Sequence, residues 1–138
     1  MQYYLDTNIL VFFLSKQFDE IDRNVQAFLR DYASILHASN IAVQELLLLY
    51  RIGKFKSKFY KSEIDLINGI KKANIRIVYF NEYHLDAYAS LQIEDGHKDM
   101  NDHAIIAQAI SDRIPLISSD HEFGYYTGQG LDFIFNQR

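Results

Sequence analysis

Short runs of β-favouring residues recur along this chain, each separated from the next by a stretch of helical periodicity, and that alternation narrows the possible folds more than any other feature. Tyr3-Tyr4-Leu5, the brief Ile35-Leu36, Ile75 to Phe80, Leu116-Ile117-Ser118 and Phe133-Ile134-Phe135 read as strands. Between them lie Val25, Phe28 and Leu29 at helical spacing, then a segment from Ile41 to Ile52 that is apolar almost all round, expected to be a buried helix, and ends at Gly53, where a helix cap is expected. An amphipathic helix is predicted over residues 57 to 73, another around Leu85 to Leu91, and a last one from about Asn101 to Asp112. Strands joined through helices give a mostly parallel central sheet with helices on both faces, a three-layer α/β/α architecture. At 138 residues, without repeat or linker, the chain reads as a single domain spanning 1–138.

Composition excludes several kinds of chemistry. There is no cysteine, so thiolate ligands, disulfides and thiol nucleophiles are absent, and any metal must be held by oxygen or imidazole. The apolar runs are too short to span a bilayer and the first residues do not resemble a secretory leader, so a cytoplasmic location is expected. A formal net charge of -4 argues against a chain that holds nucleic acid by bulk charge. A local basic patch remains compatible with it.

Four carboxylates stand out by position. Asp6 follows the first strand, and Asp120 follows Leu116-Ile117-Ser118-Ser119 in the same way. In open α/β sheets, ligands collect at the carboxyl ends of strands. Each could equally be a helix cap, since Asp is a favoured N-cap residue. Glu45 falls inside the apolar helix on the face of Ile41, Leu48, Leu49 and Ile52, where a carboxylate needs a cationic side chain or a metal beside it. Asp102 lies on the stripe of Ile105, Ile106 and Ala109 at a helix start, with Asp99 three residues earlier read as its cap. If the first strand and the Asp120 strand are parallel neighbours, all four acids gather at one sheet edge. Acids brought together without Cys or clustered His suit Mg²⁺ or Mn²⁺, and the chemistry of such sites is displacement at phosphate.

These residues resemble the PIN-domain ribonucleases, and among them the VapC-type toxins of toxin–antitoxin pairs. The likeness runs through Tyr4-Leu5-Asp6-Thr7-Asn8, Ser39 to Glu45 with Gly53-Lys54-Phe55 after it, His97 to Asp102 with Ile105 to Ala109, and Pro115 to Asp120 with Phe123 and Tyr126. The resemblance implies that Asp6, Glu45, Asp102 and Asp120 are catalytic and bind Mg²⁺ or Mn²⁺. It also implies that Ser118 supports the first aspartate, with Asn8 a nearby polar residue. Met100-Asn101 departs from the family's usual Pro-Phe, and His103 stands where an Arg is usual. His103 could replace that Arg only when protonated; otherwise it is a surface or lightly buried histidine. His97 reads as structural rather than as a ligand.

A basic stretch of Arg51, Lys54, Lys56, Lys58 and Lys61 is interleaved with Phe55, Phe59 and Tyr60. It reads either as an RNA-facing rim, with Lys54, Lys56 and Lys58 on phosphates, or as a solvated helix face with its rings in the core. The resemblance further implies a cognate antitoxin, an RNA substrate and a homodimer. Two rival readings are a non-catalytic PIN module that binds RNA or protein, and an aspartyl-phosphate phosphohydrolase. The second usually carries another Asp two residues after the first, and this chain has Asn8 there.

Overall fold

The computed structural model describes residues 1–138. Its elements are β1 (Gln2–Leu5), α1 (Thr7–Leu14), α2 (Arg23–Arg30), β2 (Ile35–Ser39), α3 (Asn40–Arg51), α4 (Glu63–Lys72), β3 (Ile75–Val78), α5 (Glu82–Ser90), α6 (Met100–Asp112), β4 (Leu116–Ser118) and β5 (Phe133–Phe135). Short 3₁₀ segments cover Phe18–Glu20 and His121–Gln129. The five strands form one sheet in the order β3-β2-β1-β4-β5, and every pairing is parallel. This is the expected α/β/α architecture.

The order reverses beside β1. From it the chain steps outward through β2 to β3, then returns through α5 and α6 to lay β4 on its other side. At such a reversal the connections leave in opposite directions and open a crevice at the strands' carboxyl ends. Tyr4 pairs with Leu116 and Leu5 with Ile117, so the residues that follow the two strands emerge side by side. Tyr4, Leu5, Ile9, Leu10, Leu46, Ile105, Ile106, Leu116 and Ile117 are buried together in the core that holds these strands and helices in place.

Side-chain caps set several helix starts. Asp22 accepts from the Asn24 amide, Ser39 from Ile41, Ser62 from Asp65, and Asp99 from Asp102. Each satisfies a backbone donor that the first helical turn leaves without a partner. At α5, Asn81 and His84 cap each other reciprocally. His84 also bonds Asp112 at 2.9 Å, and the buried Tyr4 hydroxyl donates to the same carboxylate, tying α5, α6 and β1 together.

Four expectations need correction. The helix predicted over residues 57 to 73 starts only at Glu63, because Ser62 caps it there and the preceding loop packs its own rings, Phe55 against Tyr60. Strand β2 runs through His37-Ala38-Ser39, since pairing to β1 and β3 on both sides outweighs the weak local β preference. Strand β3 ends at Val78 rather than at Phe80. Helix α3 is not buried all round: Leu48 and Ile52 are exposed, 51% and 54%, so its outer face belongs to the surface.

Candidate active site

The crevice at the ends of β1 and β4 is a cleft of about 380 Å³ lined by Asp6, Glu45, Asp99, Asp102 and Asp120, together with Thr7, Asn8, Val11, Phe12 and Leu49. All four acids singled out in the sequence therefore reach one cavity. Asp99 joins them. It was read only as a cap, and it does cap α6, but it also faces the cleft. Nothing in the sequence separates the two roles, because the cap position of α6 lies on the cleft's rim.

Asp6 is buried, and its carboxylate makes no capping bond into α1. The Ser118 hydroxyl donates to its Oδ2 at 2.7 Å, and the Asn8 amide donates to the same oxygen at 3.1 Å. Asn8 Oδ1 in turn accepts from the Ser119 amide, and Ser118 Oγ accepts from the Asp120 amide at 3.0 Å. Ser118 and Asn8 thus stitch β4 to β1 through the first aspartate. Asp120 does act as a cap, accepting from Glu122 at the start of the 3₁₀ segment.

Glu45 projects from α3 with the Thr7 hydroxyl as its one hydrogen-bond partner, at 3.3 Å. No Lys or Arg pairs with it within 4.0 Å, which removes the buried salt bridge that a structural glutamate would need. Thr7 was not singled out in the sequence. Its only signal was adjacency to Asp6.

Asp102 is held by a relay from the last part of the chain. His103 Nε2 donates to the His97 carbonyl at 2.8 Å, which fixes its proton, since a carbonyl can only accept. The Tyr126 hydroxyl lies 2.9 Å from His97 Nδ1 and donates to it, leaving His97 Nε2–H to donate to Asp102 Oδ2 at 2.9 Å. His97 thus positions a cleft carboxylate. His103 lies in the first turn of α6, 9% exposed among Tyr88, His97 and Tyr126, and it does not line the cleft. No Lys or Arg lines the cleft.

The electrostatics follow from this geometry. Burial, with the charges of Asp120 and Asp99, pushes Asp6 up to about 6, against the opposing bond from Ser118 and the nearby Thr7 backbone amide. Burial, with Asp6, Asp102 and Asp99 nearby, pushes Glu45 up to about 7. Asp102 rises to about 7 by burial despite its bond from His97. Carboxylates gathered without a cation resist ionisation, and the compensation they invite is a proton or a hard metal ion.

The donor set fits Mg²⁺ or Mn²⁺: all oxygen, several carboxylates and room for water. No three of the acids meet closely enough to enclose a bare ion, so they line a shared cleft rather than a tight cage.

A family model described as PIN domain matches residues 3–128. The chain belongs to the PIN-domain family. Among solved structures, this PIN domain is similar to VapBC2 from Rickettsia felis bound to a promoter DNA fragment, with TM-score 0.66 and 20% identity over 99% of this chain and 100% of that one. It is likewise similar to VapBC-1 from nontypeable Haemophilus influenzae, with TM-score 0.65 and 21% identity over 98% of both chains. For FitAcB from Neisseria gonorrhoeae the TM-score is 0.61 and the identity 20%, over 97% of this chain and 96% of that one. A search of curated protein sequences returns no significant match.

Proposed function

We propose that this PIN domain is a metal-dependent endoribonuclease of the VapC type, the toxin of a toxin–antitoxin pair. The observation that carries the reading is the cleft at the β1/β4 reversal, where Asp6, Glu45, Asp99, Asp102 and Asp120 converge with no cationic side chain among them. Asp6, Glu45, Asp102 and Asp120 are the residues that would hold Mg²⁺ or Mn²⁺. When bound, the ion supplies an activated water and charge stabilisation for the leaving oxygen of a phosphodiester.

The chain's own contribution is placement. Ser118 and Asn8 hold the Asp6 carboxylate still, and the His97–Tyr126 relay does the same for Asp102. Partners of this kind fix the orientation and basicity of metal-binding groups. The phosphohydrolase alternative finds no support at Asn8, whose amide bonds Asp6, Ser118 and Ser119 and offers no acid or base.

An apolar groove of about 290 Å³ between α3, α5 and α6, lined by Ile41, Phe80, Leu85, Tyr88, Met100 and Ala104, supports a protein partner. Leu85 and Met100 are more than half exposed there, and solvent-facing rows of this kind mark interaction surfaces. The similarity to the VapBC structures motivates assigning the partner as a cognate antitoxin; self-association into a homodimer is part of the same reading. No helix is long and apolar enough to cross a membrane, and the proposed location is cytoplasmic.

The deciding experiment is Mn²⁺-dependent cleavage of structured RNA by the wild type and by Asp6→Asn. Cleavage by the wild type alone is expected; equal cleavage by both would sink the assignment.

A further inference from the structure

Beside the acidic cleft, and sharing Val11 with it, lies a second cavity of about 460 Å³ formed by the end of α1, Ser15, Gln17 and the loop 53–59. Its character is opposite. Lys54, Lys56 and Lys58 line it, and no carboxylate does. None of these lysines forms an ion pair within 4.0 Å, whereas Arg51, from the same basic stretch, is bound to Glu63 at 2.8 Å and stands apart. Phe59 is 43% exposed on its rim rather than packed in the core.

A residue outside the basic stretch stands beside the cavity, between its lining residues Ser15 and Gln17. Lys16 follows α1 in the left-handed conformation, φ 59°, with its amide bonded to the Phe13 carbonyl and the next amide to Phe12. That is a Schellman ending, and the position is normally glycine because a side chain is strained there. The strained side chain is a lysine whose ammonium rests 4.6 Å from the centre of the Phe59 ring, with Lys58 at 5.8 Å from the same ring. Asn74, Asp95 and Arg113 take the same left-handed conformation, so what sets Lys16 apart is the exposed ring that its ammonium faces.

We propose that this cavity is a binding site for unpaired RNA next to the cleavage centre, with Lys16, Lys54 and Lys58 on backbone phosphates and the Phe59 ring stacking on a base. The assignment of RNA as the polymer rests on the nuclease reading above. Single strands are favoured over duplexes because an exposed ring can stack only on a base that is not already paired and stacked. Free lysines next to clustered acids also divide the labour: one cavity takes the phosphate to be cut and the other anchors the strand beyond it.

The test is fluorescence anisotropy with labelled oligouridylate in EDTA, so that binding is read without any bond being cut and a failure of nuclease activity leaves this readout intact. Lys16→Ala, Lys54→Ala and Lys58→Ala should each reduce the slope of log affinity against log salt by about 0.7. Phe59→Ala should weaken binding about tenfold with little change of slope. Lys16→Gly separates binding from folding: relief of the strained position should raise Tm by a few degrees while RNA affinity falls. Wild-type slopes in all three alanine variants, or duplex RNA competing as well as single-stranded RNA, would overturn the proposal.

Discussion

The Ser118 hydroxyl donates a 2.7 Å hydrogen bond to Asp6 Oδ2 across 112 residues of sequence, from the last residue of β4 to the residue after β1. The same Oγ accepts the Asp120 amide, so one hydroxyl orients one cleft acid and fixes the backbone of another. Ser118→Ala should therefore lower the affinity for Mn²⁺ and the cleavage rate by 10- to 100-fold, about the usual cost of losing a partner that orients a metal-binding group. Titration of activity with Mn²⁺ reads this directly. Unchanged activation by Mn²⁺ would show that Asp6 needs no such support.

Asp6 also makes a prediction of opposite sign for stability. Its pKa is raised by burial from 3.8 to about 6, so the folded chain binds that proton more tightly than the unfolded one. The stabilisation is fully present below the unfolded value and is lost as pH rises through the folded value. In EDTA the protein should become less stable between about pH 4 and pH 7, and Asp6→Asn should flatten that slope and gain about 1–3 kcal/mol at pH 7. Thermal unfolding of both proteins across this range is the measurement; a wild type that gains stability as pH rises through the window contradicts it. The same variant should lose cleavage, which makes Asp6 a site where function costs stability.

Occupancy by metal should follow the same titrations in reverse. Glu45 and Asp102 are held near 7 by burial and by neighbouring carboxylates, and a carboxylate must be ionised to bind a cation. Mn²⁺ affinity should rise steeply between about pH 6 and pH 8 and flatten above that, a range well above that of an ordinary carboxylate. Calorimetric titration at several pH values checks it. An affinity already flat from pH 5 upward would mean that these acids ionise normally.

Much of this site was legible because strand and helix periods forced its placement. A strand ending at Leu5 and another at Ser118 leave Asp6 and Asp120 together only if the strands are parallel neighbours, and the register of Leu5 with Ile117 makes them so. Long-range partners were beyond reach. Tyr126 carries no local mark of its bond to His97, and His103 is buried by rings from α5 and the 3₁₀ segment, which no helical spacing near residue 103 encodes. Lys16 escaped because a left-handed lysine looks like any other lysine until the backbone is seen. Residues 57–62 were misread as helix because Phe59 extends the apolar pattern of Ile64, Leu66, Ile67 and Ile70, while its ring packs on Tyr60 and Tyr60 packs on α4 at Gly69.

The His97 relay gives a fourth prediction. Because His97 Nε2–H donates to Asp102 Oδ2, His97→Ala should free that carboxylate and reduce cleavage 10- to 100-fold, on the order of other supporting partners. Tyr126→Phe removes only the hydroxyl that sets the imidazole proton and should cost roughly 1 kcal/mol of stability with a smaller loss of rate. Parallel steady-state kinetics and urea denaturation distinguish the two. Equal losses of stability and no loss of rate would make the relay purely a packing feature.

Gly69 tests how the loop before α4 is held. The residue sits inside α4, where alanine ordinarily favours the helix by up to about 1 kcal/mol. Here a Cβ would come within 2.5 Å of the Tyr60 ring, which is itself packed against Phe55 and Phe59. Forcing a pinned ring aside costs roughly 1–3 kcal/mol, so Gly69→Ala should destabilise the protein on balance. In a Tyr60→Ala background the clash is gone and the helix preference should return, so the same substitution should stabilise. A double-mutant cycle by urea denaturation measures that reversal of sign, and a stabilising Gly69→Ala in the presence of Tyr60 would show that the loop yields freely.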